Sequence, residues 1–226
     1  METQPHLPPG ASLVPDWITP QQEVALVAFL DAGAWSGELK RRVRHFGYRY
    51  DYRARSATAE SRIGPLPDML KGLAERLVAD GFFSDVPDQV IANEYLPGQG
   101  ISAHVDCEPC FGEVIASLSL LSGCEMRFGC LASGETRAVI LQPRSLLVLA
   151  GPARRDWTHA IPARRSDVID ARAAGVADVS DDAVLTAVRG RQGQPRLHLS
   201  IQPAESDCEL SPSSDSTDSA IRCHFT

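Results

Sequence analysis

The stretch RLHLSIQ, residues 196–202, constrains this chain most. Leu197, Leu199 and Ile201 alternate in it with Arg196, His198, Ser200 and Gln202. Side chains of a β-strand point alternately to opposite sides, so such a strand has one apolar and one polar face. The chain from residue 88 onward has the same grain. Candidate strands run over 89–95, 101–106, 114–121, 124–129, 136–142 and 145–150, with PGQG and SG as turn signals and SLLVLAG as a short buried run.

Two amphipathic segments precede these strands. In DWITPQQEVALVAFLDAG, Thr19 is placed to cap a helix, Pro20 to occupy its first position, and Val24, Leu26, Val27 and Leu30 to form its apolar stripe. In GPLPDMLKGLAERLVADG, Met69, Leu70, Leu73, Leu77 and Val78 recur at helical spacing and Gly81 follows the end. Between them Arg44, Phe46, Tyr48, Tyr50 and Tyr52 share one parity, which suggests a strand. Two helices followed by many short strands give a mainly β fold, a barrel or sandwich with helices packed outside.

A chain of 226 residues is long enough for one sizeable core. Residues 15–203 are expected to form that domain, with 1–14 a flexible Pro-rich N-terminus, 166–192 an acidic insertion or loop, and 204–226 a Ser- and Asp-rich disordered tail. No apolar run reaches the ~20 residues of a membrane helix. No basic segment followed by an apolar stretch opens the chain, so a cytoplasmic or nuclear protein is expected. The six cysteines are accordingly expected to be reduced, with Cys107 and Cys110 two thiols in a loop. The net charge of −7 is unevenly spread. Glu38–Arg55 carries seven basic residues against two acidic, whereas the residues from Pro203 on carry five acidic against one Arg. The asymmetry says more about partners than the total does.

The candidate chemistry begins at HVD. His104 and Asp106, two apart on a strand, point the same way with Cα atoms about 7 Å apart. That suits two ligands of one metal; it equally suits a hydrogen-bonded pair. His159, in DWTHAIP, follows the buried SLLVLAG run and is the histidine best held to supply a third ligand. Together the three would make a 2-His-1-carboxylate set that leaves positions open for a bidentate co-substrate and dioxygen. Arg196 could pair with a carboxylate through two parallel hydrogen bonds, and its polar face either meets solvent or lines a pocket. Asn93 and Tyr95 share a parity one strand earlier. RRVRHFGYRYDYRAR interleaves arginines with three of the four tyrosines. That is a pattern for phosphates and unpaired bases, or an ordinary two-faced strand.

These motifs, in this order, resemble the AlkB family of iron(II)/2-oxoglutarate dioxygenases: RRVRHFGYRYDY, PDQVIANEYLPGQGISAHVD, EVIASLSL, PRSLLVLAGPARRDWTHAIPAR and RLHLSI. The pair PGQGISAHVD and RHFGYRYDY looks most like the dioxygenase part of the tRNA wobble-uridine AlkB homologue and bacterial AlkB-like proteins. The resemblance implies a double-stranded β-helix (jelly-roll) core. It implies that His104, Asp106 and His159 bind Fe(II), and that Asn93, Tyr95, Arg196, His198 and Gln202 surround 2-oxoglutarate. It further implies that a lid over residues 41–55, with Arg44, Phe46, Tyr48 and Tyr50, and Glu108 in the loop after HVD, contacts a nucleobase. The implied reaction consumes O2 and 2-oxoglutarate and hydroxylates a C–H bond, so that an N-methyl group leaves as formaldehyde. The implied partner is DNA or RNA, single-stranded or with a flipped base, and the chain is expected to be a monomer. One position departs from the family: Gln202 stands where a second arginine is usual. Loss of a charge-assisted bond there costs roughly 1.5–3 kcal/mol. The overall acidity keeps open the same chemistry on a protein or small molecule, and Gln202 a catalytically weakened binding module.

Overall fold

The computed structural model describes residues 6–108, 110–170, 184–188 and 196–204. In chain order they form strand β1 (Ala11–Val14), helix α1 (Pro20–Asp31), β2 (Arg42–Phe46), α2 (Asp68–Ala79), β3 (Gln89–Tyr95) and β4 (Ile101–His104). There follow β5 (Val114–Leu120), β6 (Cys124–Cys130), β7 (Thr136–Leu141), β8 (Leu146–Ala150) and the single turn α3 (Pro152–Arg155). The last elements are β9 (Trp157–Ile161), β10 (Ser166–Asp170), β11 (Val184–Val188) and β12 (Arg196–Gln202). Among the described residues no helix is long and apolar enough to cross a membrane.

Two antiparallel sheets make the jelly roll. A six-stranded sheet runs β1-β8-β5-β12-β3-β2 and a four-stranded sheet runs β4-β9-β6-β7. The pleat sorts the larger sheet's side chains. Leu197, Leu199 and Ile201 of β12, Val90 and Ala92 of β3, and Ala116, Leu118 and Leu120 of β5 pack with Leu26, Leu30, Leu70, Leu73 and Leu77 of the two helices. The opposite parity of this sheet's strands, β8 among them, turns to the second sheet. There Leu147, Leu149 and Tyr95 meet Met126, Phe128, Leu141 and Trp157. Helix α1 begins as its sequence dictates: Thr19 and Gln22 close a reciprocal capping box, and Pro20 fills the first turn. Val24 and Met69, expected on apolar stripes, are exposed.

The structure corrects three expectations. The N-terminal segment read as flexible contains β1, which pairs with β8 from Ala11↔Leu149 to Val14↔Leu146, and Leu7 is buried. Its prolines precede the strand, and their carbonyls accept from the amides of Ala11 and Ala153. The strand read through Tyr52 ends at Phe46. Gly47 adopts φ 79°, and a Cβ there would stand 1.8 Å from the Asp88 carbonyl oxygen, so the alternation breaks at a position only glycine fills. The strand read as 101–106 stops at His104, leaving Asp106 in the turn beyond it. Within the segment read as an insertion, β10 and β11 pair antiparallel. The expected tail, apart from Ala204, lies outside the described residues.

Leu199 is fully buried between the sheet and the helices. Leu199→Ala should cost about 2–5 kcal/mol in denaturant unfolding. A loss under ~1 kcal/mol would show that the helix layer does not depend on this face of β12.

Candidate metal centre and its pocket

The second sheet brings the three expected ligands together. β4 pairs with β9 so that His104 and His159 are direct cross-strand partners, with ring centroids 4.4 Å apart. Asp106 turns back between them. Its Oδ1 lies 3.6 Å from His104 Nε2 and its Oδ2 lies 3.5 Å from His159 Nε2. One ligand atom from each residue lies within 4.8 Å of the others. These separations are long for N–H···O bonds and near the ~3 Å spacing of ligands around an octahedral ion.

The protonation pattern also fits a metal. His104 Nδ1–H donates to the Ser102 carbonyl at 2.8 Å, which leaves the Nε2 lone pair facing Asp106. Burial lowers the His159 pKa to about 4, so this ring is neutral at physiological pH. Burial also opposes charge on His104, but the neighbouring Asp106 carboxylate and the Ser102 carbonyl prevail, and its pKa is raised. Burial alone would raise Asp106; His159 and His104 hold it well below the usual carboxylate range. The set is an anionic oxygen between two imidazoles, the donors an Fe(II) site uses.

Arg154, on α3, was not singled out from the sequence and holds this arrangement. Its buried guanidinium donates to the carbonyls of Asp106 at 3.0 Å, Cys107 at 3.2 Å, Phe111 at 3.2 Å and Gly112 at 3.3 Å. Burial lowers its pKa. Nothing local in PARRDWTH marks it, because its partners lie more than forty residues earlier in the chain.

The triad opens into a cavity of about 110 Å³, well above the ~10–15 Å³ that one water needs. The polar parity of the large sheet forms one wall: Asn93 and Tyr95 of β3, Ser117 of β5, and His198, Ser200 and Gln202 of β12. Asn93 and His198 are register partners, and Asn93 Oδ1 accepts from Arg41 Nε at 2.8 Å. His198 is buried, with Nδ1 3.4 Å from the hydroxyls of Ser117 and Ser119. Gln202 is buried and donates to Gln89 Oε1 at 3.3 Å. Arg196 pairs with Tyr95 in the same ladder, and its side chain lies outside those described. The polar face of RLHLSIQ thus lines a pocket over His198, Ser200 and Gln202.

The rim differs from the expected substrate contacts. Arg41, Tyr50, Tyr52 and Arg55 line the cavity. Tyr50 stacks edge-on against Tyr52 with centroids 5.1 Å apart and lies beside Phe111. The expectation is corrected for Arg44 and Phe46, which point to the helix layer. Phe46 is buried there, and Arg44 donates to the Leu30 carbonyl at 2.9 Å and covers the Phe46 ring. Tyr48 bridges to Arg62 and does not line the cavity. Glu108 is exposed and borders a shallow depression with Arg55, Val105, Asp106 and Cys107. Cys107 and Cys110 form a disulfide, which overturns the reduced state expected for this pair; Cys124 and Cys130 are thiols, Cys124 with its sulfur 3.8 Å from His198 Nε2.

Comparison with known proteins bears on the same residues. Residues 35–201 match the 2OG-Fe(II) oxygenase superfamily. The chain is 36% identical over 183 residues to the alkylated DNA repair protein ALKBH8 homolog of Arabidopsis thaliana, covering 71% of this chain and 53% of that one. It is 34% identical over 198 residues to the tRNA (carboxymethyluridine(34)-5-O)-methyltransferase alkbh8 of Xenopus tropicalis, covering 85% of this chain and 30% of that one. It therefore spans about half or less of these relatives' length. The solved structure of OsALKBH1 superposes with a TM-score of 0.60 at 17% identity, covering 87% of this chain and 99% of that one, a likeness of fold.

Protons compete with a metal for the imidazole nitrogens, so affinity has a definite pH dependence. The raised pKa of His104 places its proton in the way first. Co(II) affinity, measured anaerobically by calorimetry, should fall about tenfold per unit as the pH drops below that pKa. The slope should steepen only near the His159 pKa of about 4. His104→Ala and Asp106→Ala should each abolish tight binding. A flat affinity between about pH 5 and pH 8 would exclude His104 as a ligand.

Proposed function

Because this chain belongs to the AlkB family of the 2OG-Fe(II) oxygenase superfamily, we propose that it oxidises alkylated or modified bases in nucleic acid, by demethylation or hydroxylation. The observation that carries this reading is the convergence of His104, Asp106 and His159 at a cavity whose rim is made of tyrosines and arginines. When bound, iron, 2-oxoglutarate and dioxygen supply the oxidation of a C–H bond. The chain's own residues have other tasks. His104, Asp106 and His159 would hold the metal, and Arg154 keeps the turn bearing Asp106 in place. Asn93, Tyr95, His198 and Gln202 provide a wall that would receive the dicarboxylate, and Arg196, on the same strand as His198, would be the partner of a carboxylate there. Tyr50 and Tyr52 offer ring faces to an unpaired base, and Arg41 and Arg55 offer cations to its phosphates. Enclosure between these rings and the large sheet excludes water from the reacting group.

Lys40, Arg53 and Arg55 are exposed, whereas Arg42 is paired with Glu94 and Arg44 is turned to α1. With Fe(II) and 2-oxoglutarate, methylated DNA and RNA oligonucleotides and modified tRNA should yield formaldehyde or a hydroxylated base, read by mass spectrometry. Converting Lys40, Arg53 and Arg55 to Gln should weaken binding similarly for all sequences and reduce the salt slope by up to about three. Turnover of 2-oxoglutarate with no product on any nucleic acid would shift the reading to a protein or small-molecule substrate.

The amide of Gln202 is engaged by Gln89 inside the cavity wall, which favours a second reading, a binding module with weak turnover. Gln202→Arg should then lower the Kd for 2-oxoglutarate by about tenfold or more, the worth of one charge-assisted hydrogen bond. An unchanged or raised Kd would show that the missing charge is not a defect.

A further inference from the structure

The paired cysteines directly after Asp106 have no part in the reading above, and their surroundings are specific. Cys107 and Cys110 are buried with Ala57, Ile91, Phe111 and Ile115 in one apolar cluster, against which Tyr50 packs. Both sulfurs approach the same atom, the Arg55 carbonyl oxygen, at 3.3 Å from Cys107 and 3.1 Å from Cys110. Arg55 belongs to a closed turn. Asp51 and Ser56 exchange backbone hydrogen bonds, Asp51 Oδ1 accepts from the amides of Arg53 and Ala54, and Arg55 itself has φ 53°. This turn carries Tyr52 and Arg55 over the cavity.

The oxidation state of the pair changes the chemistry of that contact. A thiol can donate S–H···O to the Arg55 carbonyl, and the carbonyl's two lone pairs can accept from both. A disulfide has no hydrogen to give, so the same sulfurs meet the oxygen without a donor. The main chain beneath is held in either state, because Arg154 binds the carbonyls of Asp106, Cys107, Phe111 and Gly112. A change at sulfur therefore reaches the turn over the cavity rather than the metal ligand.

We propose that Cys107 and Cys110 form an oxidation site for peroxide: in the disulfide state, the one seen here, the turn at Arg55 is closed over the cavity by its own backbone bonds, and in the dithiol state S–H donors to the Arg55 carbonyl fasten it more tightly. Cys107 lines both the cavity and the shallow depression beside Glu108, so its sulfur meets the oxidant first. The Cys107 sulfur attacks hydrogen peroxide; the O–O bond breaks and leaves a sulfenic acid and one water. The Cys110 sulfur then displaces the hydroxyl, the S–S bond forms, and its proton leaves in a second water. Overall two thiols lose two electrons and two protons, and one peroxide becomes two waters. A dithiol reductant reverses the change by exchange.

The test uses the full chain, treated with hydrogen peroxide and then with dithiothreitol. Differential alkylation and mass spectrometry report the thiols of the 107–110 peptide, and hydrogen exchange reports the amides of residues 51–57. The peptide should lose two alkylatable thiols with peroxide and regain them with dithiothreitol. The protected amides of Asp51, Arg53, Ala54 and Ser56 should exchange about two- to fivefold faster in the disulfide form, the worth of one weak hydrogen bond. Co(II) affinity should stay within about twofold, the backbone bonds of Arg154 being common to both forms. The double variant Cys107→Ser/Cys110→Ser, which keeps two donors, should exchange like the dithiol even after peroxide. Three results would overturn the proposal: a pair that peroxide leaves reduced, equal exchange in the two forms, or a redox effect on Co(II) affinity larger than that on the turn.

Discussion

The wall of the cavity depends on the pleat of one sheet. β12 sits between β5 and β3, and each of the three strands sends alternate side chains to the helix layer and to the cavity. Burying a leucine on the helix side is worth about 1.5–3 kcal/mol. A polar group on the cavity side costs a similar amount unless it is paired. The wall meets that condition locally: Gln202 with Gln89, His198 beside two serine hydroxyls, and Arg41 on Asn93. A one-residue slip in register would exchange the two faces and place histidine and glutamine against leucines. The apolar face therefore fixes where the polar face stands, and with it the wall opposite the triad.

The triad needs a second constraint, because Asp106 lies beyond the end of its strand. A turn after a strand has no ladder to fix it. Arg154 supplies the missing restraint by serving four carbonyls of the 106–112 segment at once. A lysine could not span them, since its donors radiate from one nitrogen. The burial of this guanidinium is offset by hydrogen bonds to backbone oxygens and by the charges of Asp106, Glu108 and Glu113, and the Asp106 carboxylate oxygens stay turned to the two imidazoles. Held by β9 pairing on one side and Arg154 on the other, the turn presents its carboxylate between two rings.

What the sequence revealed and what it hid follow the same division. His198, Ser200 and Gln202 were legible because period-two alternation is a local property, and α1 because Thr19, Pro20 and Gln22 make a local cap. His159 was legible through the buried run before it. Arg154 was not, because its role consists entirely of contacts distant in the chain. Parity failed for Arg44 and Phe46 for a physical reason. Gly47 takes a backbone conformation that ends the alternation, so residues before it face the helices while Tyr50 and Tyr52 after it face the cavity. A proline-rich composition concealed β1, whose pairing is decided by the free edge of β8.

Charge shows the gap between counting and placing most clearly. The segment Glu38–Arg55 is strongly basic by count, yet Arg42 is held by Glu94, Arg44 by the end of α1, and Arg49 by Glu38 at 3.2 Å. Those pairs leave Arg41, which also donates to Asn93, and Arg55 at the rim, with Lys40 and Arg53 exposed away from the cavity lining, a smaller field than the sequence suggests. The rim's larger asset is aromatic: Tyr50 and Tyr52, set edge to face, can stack on a base already unpaired. On the nucleic-acid reading proposed above, a site with two arginines and two tyrosine rings at its mouth suits a base that is already exposed.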